Sequence, residues 1–118
     1  MKPEFVGEKS IYLQIAENIE GDILQKIIEE EAQVLSTNQL AMIYGINPAT
    51  AAKGINMLVI EGVLYKKRGI GMFVSTGALK KIRTKRKAAF YDKYIVPLLD
   101  EASNLDISKG DITDMIKK

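Results

Sequence analysis

The chain has 118 residues, of which 17 are Lys or Arg and 15 are Asp or Glu, and its formal net charge is +2. This length suits one domain with a modest core, and a hydrophobic fraction of 47% is ordinary for a globular protein. The chain contains no Cys and no His, which excludes disulfides and thiolate metal sites and removes the commonest general base. No membrane-spanning run or secretory signal is visible. The sequence therefore predicts a cytoplasmic protein that is not an enzyme and uses neither metal nor cofactor.

Charge is distributed unevenly along the chain. Residues 1–46 carry 3 basic and 8 acidic residues, residues 47–93 carry 11 and 2, and residues 94–118 carry 3 and 5. The net charges of these segments are −5, +9 and −2. A middle third this basic is typical of an anion-binding surface, although a solvated Lys-rich helix has the same composition.

The first predicted helix follows residues 1–9, which show no periodicity and are predicted to form an N-terminal tail. Ser10 can cap this helix, which covers roughly residues 11–25. Its apolar stripe consists of Tyr12, Ile15, Ile19 and Ile23. The stretch 26–33 is acidic and poorly periodic, and it is predicted to be a connecting loop or a frayed turn.

A capping box marks the start of a second helix. The hydroxyl of Ser36 can accept a hydrogen bond from the backbone three residues later, where Gln39 can return one. The helix is predicted over about 37–44, and Gly45 ends it as a left-handed C-cap. Ala41 is small enough to let a following helix approach closely.

A third helix begins almost at once. Asn47 is an N-cap candidate and Pro48 suits the first helical position, so the helix is predicted over about 48–61 and is closed by Gly62. Gly54 lies in its interior, where glycine costs about 0.5–1 kcal/mol relative to alanine, and its expected role is close packing. Two helices joined by so short a turn are typical of a helix-turn-helix, whose second helix enters the DNA major groove.

A β-hairpin is predicted directly after the third helix. Residues 63–67 and 72–74 are compatible with strands, and the turn between them contains Gly69. The whole hairpin, about 63–75, has a basic tip at residues 66–69 that can reach phosphates or the minor groove. A basic hairpin makes the DNA-binding prediction far more specific than two short helices alone.

A long helical pattern runs from Ala78 to about residue 104. Pro97 lies inside it and is predicted to kink the helix or to break it. The basic run at 80–87 is interpreted as a solvated linker helix, with extra phosphate contacts as the open alternative, and Ser108 begins a short final helix. The apolar side chains of this tail are Phe90, Tyr91, Tyr94, Leu98, Leu105, Ile112 and Ile116. Because the helices cannot cover these side chains themselves, they are predicted to form a dimer interface with a second copy.

Several stretches resemble the GntR family of bacterial transcription regulators. Residues 11–16 look like its opening helix, and residues 35–41 resemble its Leu-Pro-Ser-x-Arg-x-Leu-Ala element. Residues 46–53 resemble its recognition helix, and residues 61–74, the most specific part, resemble its wing. The Asn-Pro-x-Thr start and the short helical tail resemble the YtrA-like subfamily, whose members often control transporter operons.

The resemblance implies a mainly α-helical dimeric repressor with a small β-hairpin. A winged helix-turn-helix domain at 10–77 would precede a two-helix dimerisation tail at 78–118 and would bind a pseudo-palindromic operator. Carried over residue by residue, the DNA contacts fall on Ser36, Thr37, Asn38, Asn47, Ala49, Thr50, Arg68 and Gly69. Lys53 is added because it lies on the outward face of the third helix, and Lys67 because it lies at the basic tip.

The sequence departs from the family pattern at positions that face DNA. Leu35 replaces the Pro before the capping Ser, and Asn38 replaces the Arg of the second helix. Pro48 and Ala52 stand where many members carry Arg in the recognition helix. Since bidentate Arg–guanine contacts are the commonest specific readout, we hypothesise an A/T-rich operator, with Asn56 among the side chains able to pair with adenine.

Two other classes of function were weighed. A winged helix can act as a protein-interaction module without a DNA role, and the basic block at 47–93 argues against this alternative. An enzyme would need a carboxylate pair or a Lys nucleophile, and the consecutive glutamates at 29–31 do not converge on a metal. A small-molecule effector remains open, and it would bind the helical tail or the dimer cleft.

Overall fold

The computed structural model describes residues 10–118, and the predicted tail at 1–9 lies outside the described residues. The chain divides into two compact units, one ending at Arg83 and the other beginning at Thr84. The elements of the first unit are α1 (Ile11–Leu24), α2 (Thr37–Tyr44), α3 (Pro48–Ile60), β1 (Leu64–Lys67), β2 (Gly71–Val74) and the start of α4 (Ala78–Phe90). The predicted fold class, mainly helical with one hairpin, is confirmed over the described part of the chain.

The predicted caps of α2 and α3 are confirmed. The Gln39 N–H donates to Ser36 Oγ at 3.1 Å, and the Ser36 N–H donates to Gln39 Oε1 at 2.9 Å. Gly45 ends α2 in the left-handed conformation, with φ of 65°. Asn47 Oδ1 accepts from the Ala49 N–H at 2.8 Å and so caps α3. The C-cap of α2 at Gly45 and the N-cap of α3 at Asn47 both lie within the turn. Because both caps are formed there, α3 follows α2 without a longer linker.

One apolar core joins the helices to the hairpin. Its most deeply buried side chains include Ile15, Ile19, Ile23, Leu40, Leu58, Leu64, Val74 and Ile82. Burial of each such side chain contributes roughly 1.5–3 kcal/mol relative to exposure. Gly54 lies where α3 crosses α1, and a Cβ there would lie 2.7 Å from the carbonyl oxygen of Tyr12. The predicted packing role of Gly54 is therefore confirmed.

Residues 26–33 form neither a helix nor a named strand, in agreement with the predicted loop, but the C-terminal end of this stretch is paired with the sheet. Residues 31–34, here called the edge segment, pair with β2 on the side away from β1. Three backbone hydrogen bonds join them, from Glu31 to Val74, from Val74 to Ala32 and from Val34 to Met72, at 2.8, 3.0 and 2.9 Å. An antiparallel bridge also pairs Gln33 with Phe73. A stretch of four residues is too short for its alternation to predict a strand, so the partner strand decides its conformation.

The second unit is built from helices. After the end of α4 come a π-helical turn (Tyr91–Ile95), α5 (Val96–Asn104) and α6 (Lys109–Lys117). The Val96 N–H donates to the carbonyl of Tyr91, five residues earlier. Pro97 has no N–H and its ring crowds the carbonyl four residues before it, so the helix widens into one π turn instead of breaking. The choice between a kink and a break is therefore resolved in favour of a widened, continuous helix.

The final helix begins at the predicted capping box. The Asp111 N–H donates to Ser108 Oγ at 3.0 Å, and the Ser108 N–H donates to Asp111 Oδ2 at 3.1 Å. These bonds from Ser108 lower the pKa of the Asp111 carboxyl. An open groove of about 320 Å³ lies between α5 and α6, with Leu99, Ile107 and Ile112 in its apolar part. No helix within residues 10–118 is long and apolar enough to cross a membrane.

Candidate nucleic-acid interface

The first turn of α3 is presented to solvent. Asn47 and Ala49 are exposed and Thr50 is half-buried. The bond to the Ala49 N–H uses the side-chain oxygen of Asn47, while the amide nitrogen retains two donors. The positive end of the helix dipole also favours a phosphate at this position.

The start of α2 offers a second polar surface. Ser36 and Asn38 are exposed and Thr37 is half-buried. The hydroxyl of Ser36 is engaged in the capping box, which orients it at the helix end. The three residues predicted here thus lie on one short capped turn.

Lys53 is exposed on α3, as predicted, but its ammonium group has a contact that the sequence did not predict. The Nζ atom lies 4.2 Å from the centroid of the Tyr12 ring. A cation over an aromatic face gains about 0.5–1 kcal/mol at an exposed site. This interaction ties the outward face of α3 to α1.

The wing, defined as β1, β2 and their turn, is an antiparallel hairpin with Lys67 paired to Gly71. Its tip carries exposed Arg68, Gly69 and Ile70. Gly69 has φ of 79°, a left-handed conformation that glycine adopts without steric cost. The Ile70 N–H closes the turn by donating to the Lys67 carbonyl at 2.9 Å.

Lys67 lies over an aromatic pair on the wing. The rings of Tyr65 and Phe73, directly opposite each other in the hairpin register, stack with centroids 6.0 Å apart. The Lys67 Nζ atom lies 4.3 Å from the Phe73 centroid and 6.0 Å from that of Tyr65. The position of this cation therefore depends on the position of the aromatic pair.

Glu31 was missed as a site residue by the sequence analysis. Its Oε1 accepts from the Tyr65 hydroxyl at 2.5 Å, and its Oε2 accepts from the Thr76 hydroxyl at 2.7 Å. These bonds, with Lys67 nearby, lower the pKa of the Glu31 carboxyl. The bond between Tyr65 and Glu31 also raises the pKa of the Tyr65 hydroxyl. The alternation of polar and apolar residues in Glu-Ala-Gln-Val is too short to predict this pairing, and nothing local indicates the partners of Glu31.

The predicted dimer residues lie in the second unit and are largely unburied. Phe90, Tyr91, Tyr94, Leu98, Leu105 and Ile116 are between 44% and 77% exposed, and Ile112 is half-buried. The rings of Phe90 and Tyr94 pack with centroids 5.3 Å apart. Among residues 84–118, all of which the structure describes, Ala102 is the only buried residue.

These features define the class of the protein. A capped helix pair with a tight turn, followed at once by a basic two-stranded hairpin, is a winged helix-turn-helix, the architecture of many DNA-binding proteins. The family model of the bacterial regulatory proteins of the gntR family matches residues 11–74, from the start of α1 to the end of the wing. The chain therefore belongs to the GntR family of transcription regulators.

Solved structures support the same assignment. The chain is similar to a structure described as a transcriptional regulator of the GntR family from Bacteroides thetaiotaomicron, with 36% identity and a TM-score of 0.70 over 91% of this chain and 93% of that one. It is also similar to the DNA-binding domain of AraR in complex with its operator ORX1, with 32% identity and a TM-score of 0.54 over 61% of this chain and 93% of that one.

A curated relative is the HTH-type transcriptional repressor NagR of Bacillus subtilis, which is 34% identical over 65 residues, or 55% of this chain. That match covers 27% of NagR. The chain thus spans less than a third of the length of the curated relatives it matches.

Proposed function

We propose that this chain is a dimeric, site-specific DNA-binding repressor. The observation that carries the proposal is the arrangement of α2, its three-residue turn, α3 and the basic wing, with the first turn of α3 and the wing tip both exposed. In this proposal α3 enters the major groove and the wing contacts the backbone or minor groove. The contact residues are those predicted from sequence: Ser36, Thr37, Asn38, Asn47, Ala49, Thr50, Lys53, Lys67, Arg68 and Gly69.

The operator is proposed to be A/T-rich. The exposed first turn of α3 has no Arg, and it offers the methyl groups of Ala49 and Thr50 to thymine methyls. Asn56 is exposed on the same helix and can pair with adenine. Selection of binding sites from random DNA is expected to return A·T pairs beneath α3, and sites dominated by G·C pairs would contradict this reading.

Dimerisation is proposed to occur through the second unit. Residues 10–77 would then form the DNA-binding domain and residues 78–118 the dimerisation tail. Large apolar side chains left exposed on a helical segment are typical of an interface, and two winged helices related by a two-fold axis suit a pseudo-palindrome. The Asn-Pro-x-Thr start of α3 supports placement in the YtrA-like subfamily, and an effector would bind the tail or the dimer cleft.

Repression rather than activation is supported by the shared winged helix with NagR, which is described as a repressor. The physical basis would be exclusion of polymerase from a promoter that overlaps the operator.

The proposed function is tested by a salt titration of DNA binding by the purified chain. One duplex carries the DNA upstream of its own gene, and the other is a shuffled duplex of equal length. We expect tighter binding to the upstream duplex, two chains per site and a steep salt dependence, since each neutralised phosphate adds about −0.9 to the logarithmic slope. Equal binding to both duplexes would contradict site specificity, and binding to neither at low salt would overturn the proposal.

A charge-reversal pair separates this function from the protein-interaction alternative. Lys67→Glu with Arg68→Glu is expected to abolish binding, because the wing would then repel phosphate. Lys117→Glu with Lys118→Glu makes the same change of net charge at the far end of α6 and is expected to leave binding nearly unchanged. Unchanged DNA binding by the wing variant would favour an interaction module.

A further inference from the structure

A single carboxylate holds both ends of the wing. Glu31 accepts hydrogen bonds from Tyr65 in β1 and from Thr76 just after β2, at 2.5 and 2.7 Å. The partners are 34 and 45 residues away along the chain, so these bonds reflect the tertiary fold. The carboxylate thus joins the edge segment to the incoming and the outgoing strand of the hairpin.

A second side chain of the edge segment reaches the tip of the wing. The Gln33 amide nitrogen donates to the Ile70 carbonyl at 3.1 Å. A Cβ on Gly71 would lie 2.5 Å from that nitrogen, so a glycine at this position leaves room for the contact. Glu31 and Gln33 therefore contact the wing at its base and its tip.

The contact at the base extends to a candidate phosphate-binding cation. Glu31 holds the hydroxyl of Tyr65, the Tyr65 ring stacks on Phe73, and the ammonium group of Lys67 lies over both rings. If Tyr65 moved, the aromatic surface beneath Lys67 would move with it. The carboxylate is therefore linked to the basic tip through three successive contacts.

The backbone of Glu31 is in a conformation that disfavours any side chain. Its φ is 67°, in the left-handed region, where the Cβ of a non-glycine residue is crowded by the backbone. Such strain persists only where surrounding contacts over-determine it, and it points to a role for the side chain. Here the contacts are the two hydroxyl groups and the backbone bond to Val74.

We propose that Glu31 is a positioning residue for DNA binding. Together with Gln33 it holds the wing in place, so that Lys67 and Arg68 are already in position before they meet the DNA backbone. The inference rests on the proposed function and deepens it. A preorganised wing loses less conformational freedom on binding than a mobile one. A negatively charged residue would thereby increase affinity for a polyanion.

The sign of the effect distinguishes this brace from simple electrostatics. Removing a negative charge near a phosphate-binding surface strengthens DNA binding if charge alone matters. Removing the brace weakens it. Glu31→Gln retains shape and loses the charge and the strong acceptors, and Glu29→Gln removes the same charge from a side chain that makes none of these contacts.

The experiment measures binding of the full chain to the tightest duplex that the wild-type chain selects from a random pool, across a range of salt. For Glu31→Gln we expect about 3- to 10-fold weaker binding and a salt slope reduced by about one, corresponding to the loss of roughly one phosphate contact. For Glu29→Gln we expect unchanged or slightly tighter binding. Tyr65→Phe, which removes only the hydroxyl, is expected to follow Glu31→Gln.

Two further variants separate positioning from a loss of stability. Glu31→Gly relieves the backbone strain and removes the carboxylate, so it is expected to stay folded, as checked by urea unfolding, and still to bind DNA weakly. In a Lys67→Gln, Arg68→Gln background, Glu31→Gln is expected to cause little additional loss, because the contacts it positions are already absent. An equal loss in both backgrounds would indicate a general structural role and overturn the proposal.

Failure of this inference differs from failure of the proposed function. If the wild-type chain selects no duplex, both are overturned. Suppose that the wild-type chain binds DNA and the Lys67→Glu, Arg68→Glu variant does not. If Glu31→Gln then binds as well as wild type or better, the brace alone is overturned. Weakened binding by Glu31→Gln, Glu31→Gly and Tyr65→Phe, with Glu29→Gln binding as tightly as wild type, supports the brace.

Discussion

At the scale of single residues, Gly54 determines how closely two helices approach. It lies in the middle of α3, where its lack of a side chain weakens the helix by about 0.5–1 kcal/mol relative to alanine. The structure shows the compensation, since the Tyr12 carbonyl oxygen would lie 2.7 Å from a Cβ at this position. Backbone on the opposing helix cannot yield as the end of a flexible side chain can. Tertiary packing therefore requires a glycine at position 54, although glycine is unfavourable within the helix itself.

A matched pair of variants tests this reading. Gly54→Ala is expected to destabilise the chain by about 1–3 kcal/mol through overpacking against α1, despite the better helix propensity of alanine. Gly21→Ala, in α1, is expected to stabilise it by about 0.5–1 kcal/mol, because no atom lies within 4 Å of the added Cβ. Urea unfolding measures both, and a stabilising Gly54→Ala would contradict the close helix contact.

At the scale of elements, the wing is held by its neighbour as well as by its own ladder. The edge segment adds backbone bonds to β2, and Glu31 adds the two hydroxyl contacts. A two-stranded hairpin alone is marginal in water. Pairing on its second side explains how a short wing with a glycine-containing turn can hold a defined shape.

This attachment predicts a dependence of stability on pH. Hydrogen bonds from Tyr65 and Thr76, and then the charge of Lys67, lower the pKa of Glu31 from its ordinary 4.5. A carboxyl with a lowered folded-state pKa stabilises the fold above its unfolded pKa, and the contribution is lost as the pH falls through the folded value. The difference in urea midpoint between wild type and Glu31→Gln is therefore expected to shrink as the pH drops below about 4.5.

Glu29→Gln provides the control for this measurement, because it removes a carboxylate of the same acidic stretch without touching the wing. Its urea midpoint is expected to follow that of the wild-type chain through the same pH range. A difference between wild type and Glu31→Gln that stays constant with pH would show that the Glu31 contacts do not depend on the carboxylate charge.

At the scale of the whole molecule, the two units differ in how well they bury apolar residues. The first has an extensive core, whereas the second leaves Tyr91, Leu105 and Ile116 at 59%, 60% and 77% exposure. Helices with so much apolar surface are poorly stabilised alone. A second copy of the chain would supply the missing contacts, in agreement with the proposed dimer.

The proposed dimer predicts that thermal stability rises with protein concentration, because association stabilises the folded state by mass action. Ile116→Glu, on α6, is expected to shift sedimentation toward the monomer and to remove the concentration dependence of the Tm. Ile60→Glu, at the end of α3, changes an isoleucine that is 85% exposed and is expected to leave the oligomeric state unchanged. A wild-type Tm independent of concentration, with monomeric sedimentation, would contradict the dimer.

Features that depend on neighbours within one helical turn could be predicted from the sequence. The capping box of Ser36, the left-handed Gly45, the Asn47 cap and the turn of the wing were all predicted and are confirmed. These signals are local, because caps and glycine conformations follow from residues at most four positions apart. The resemblance to the GntR family, read from the same stretches, is confirmed by the family model.

Tertiary structure alone decided the contacts between distant parts of the chain. The edge segment takes its conformation from β2, Glu31 finds its partners 34 and 45 residues away, and Gly54 is required by a carbonyl on α1. Periodicity shows which face of an element is apolar, whereas these contacts depend on which elements meet, and that depends on the packing of the whole core.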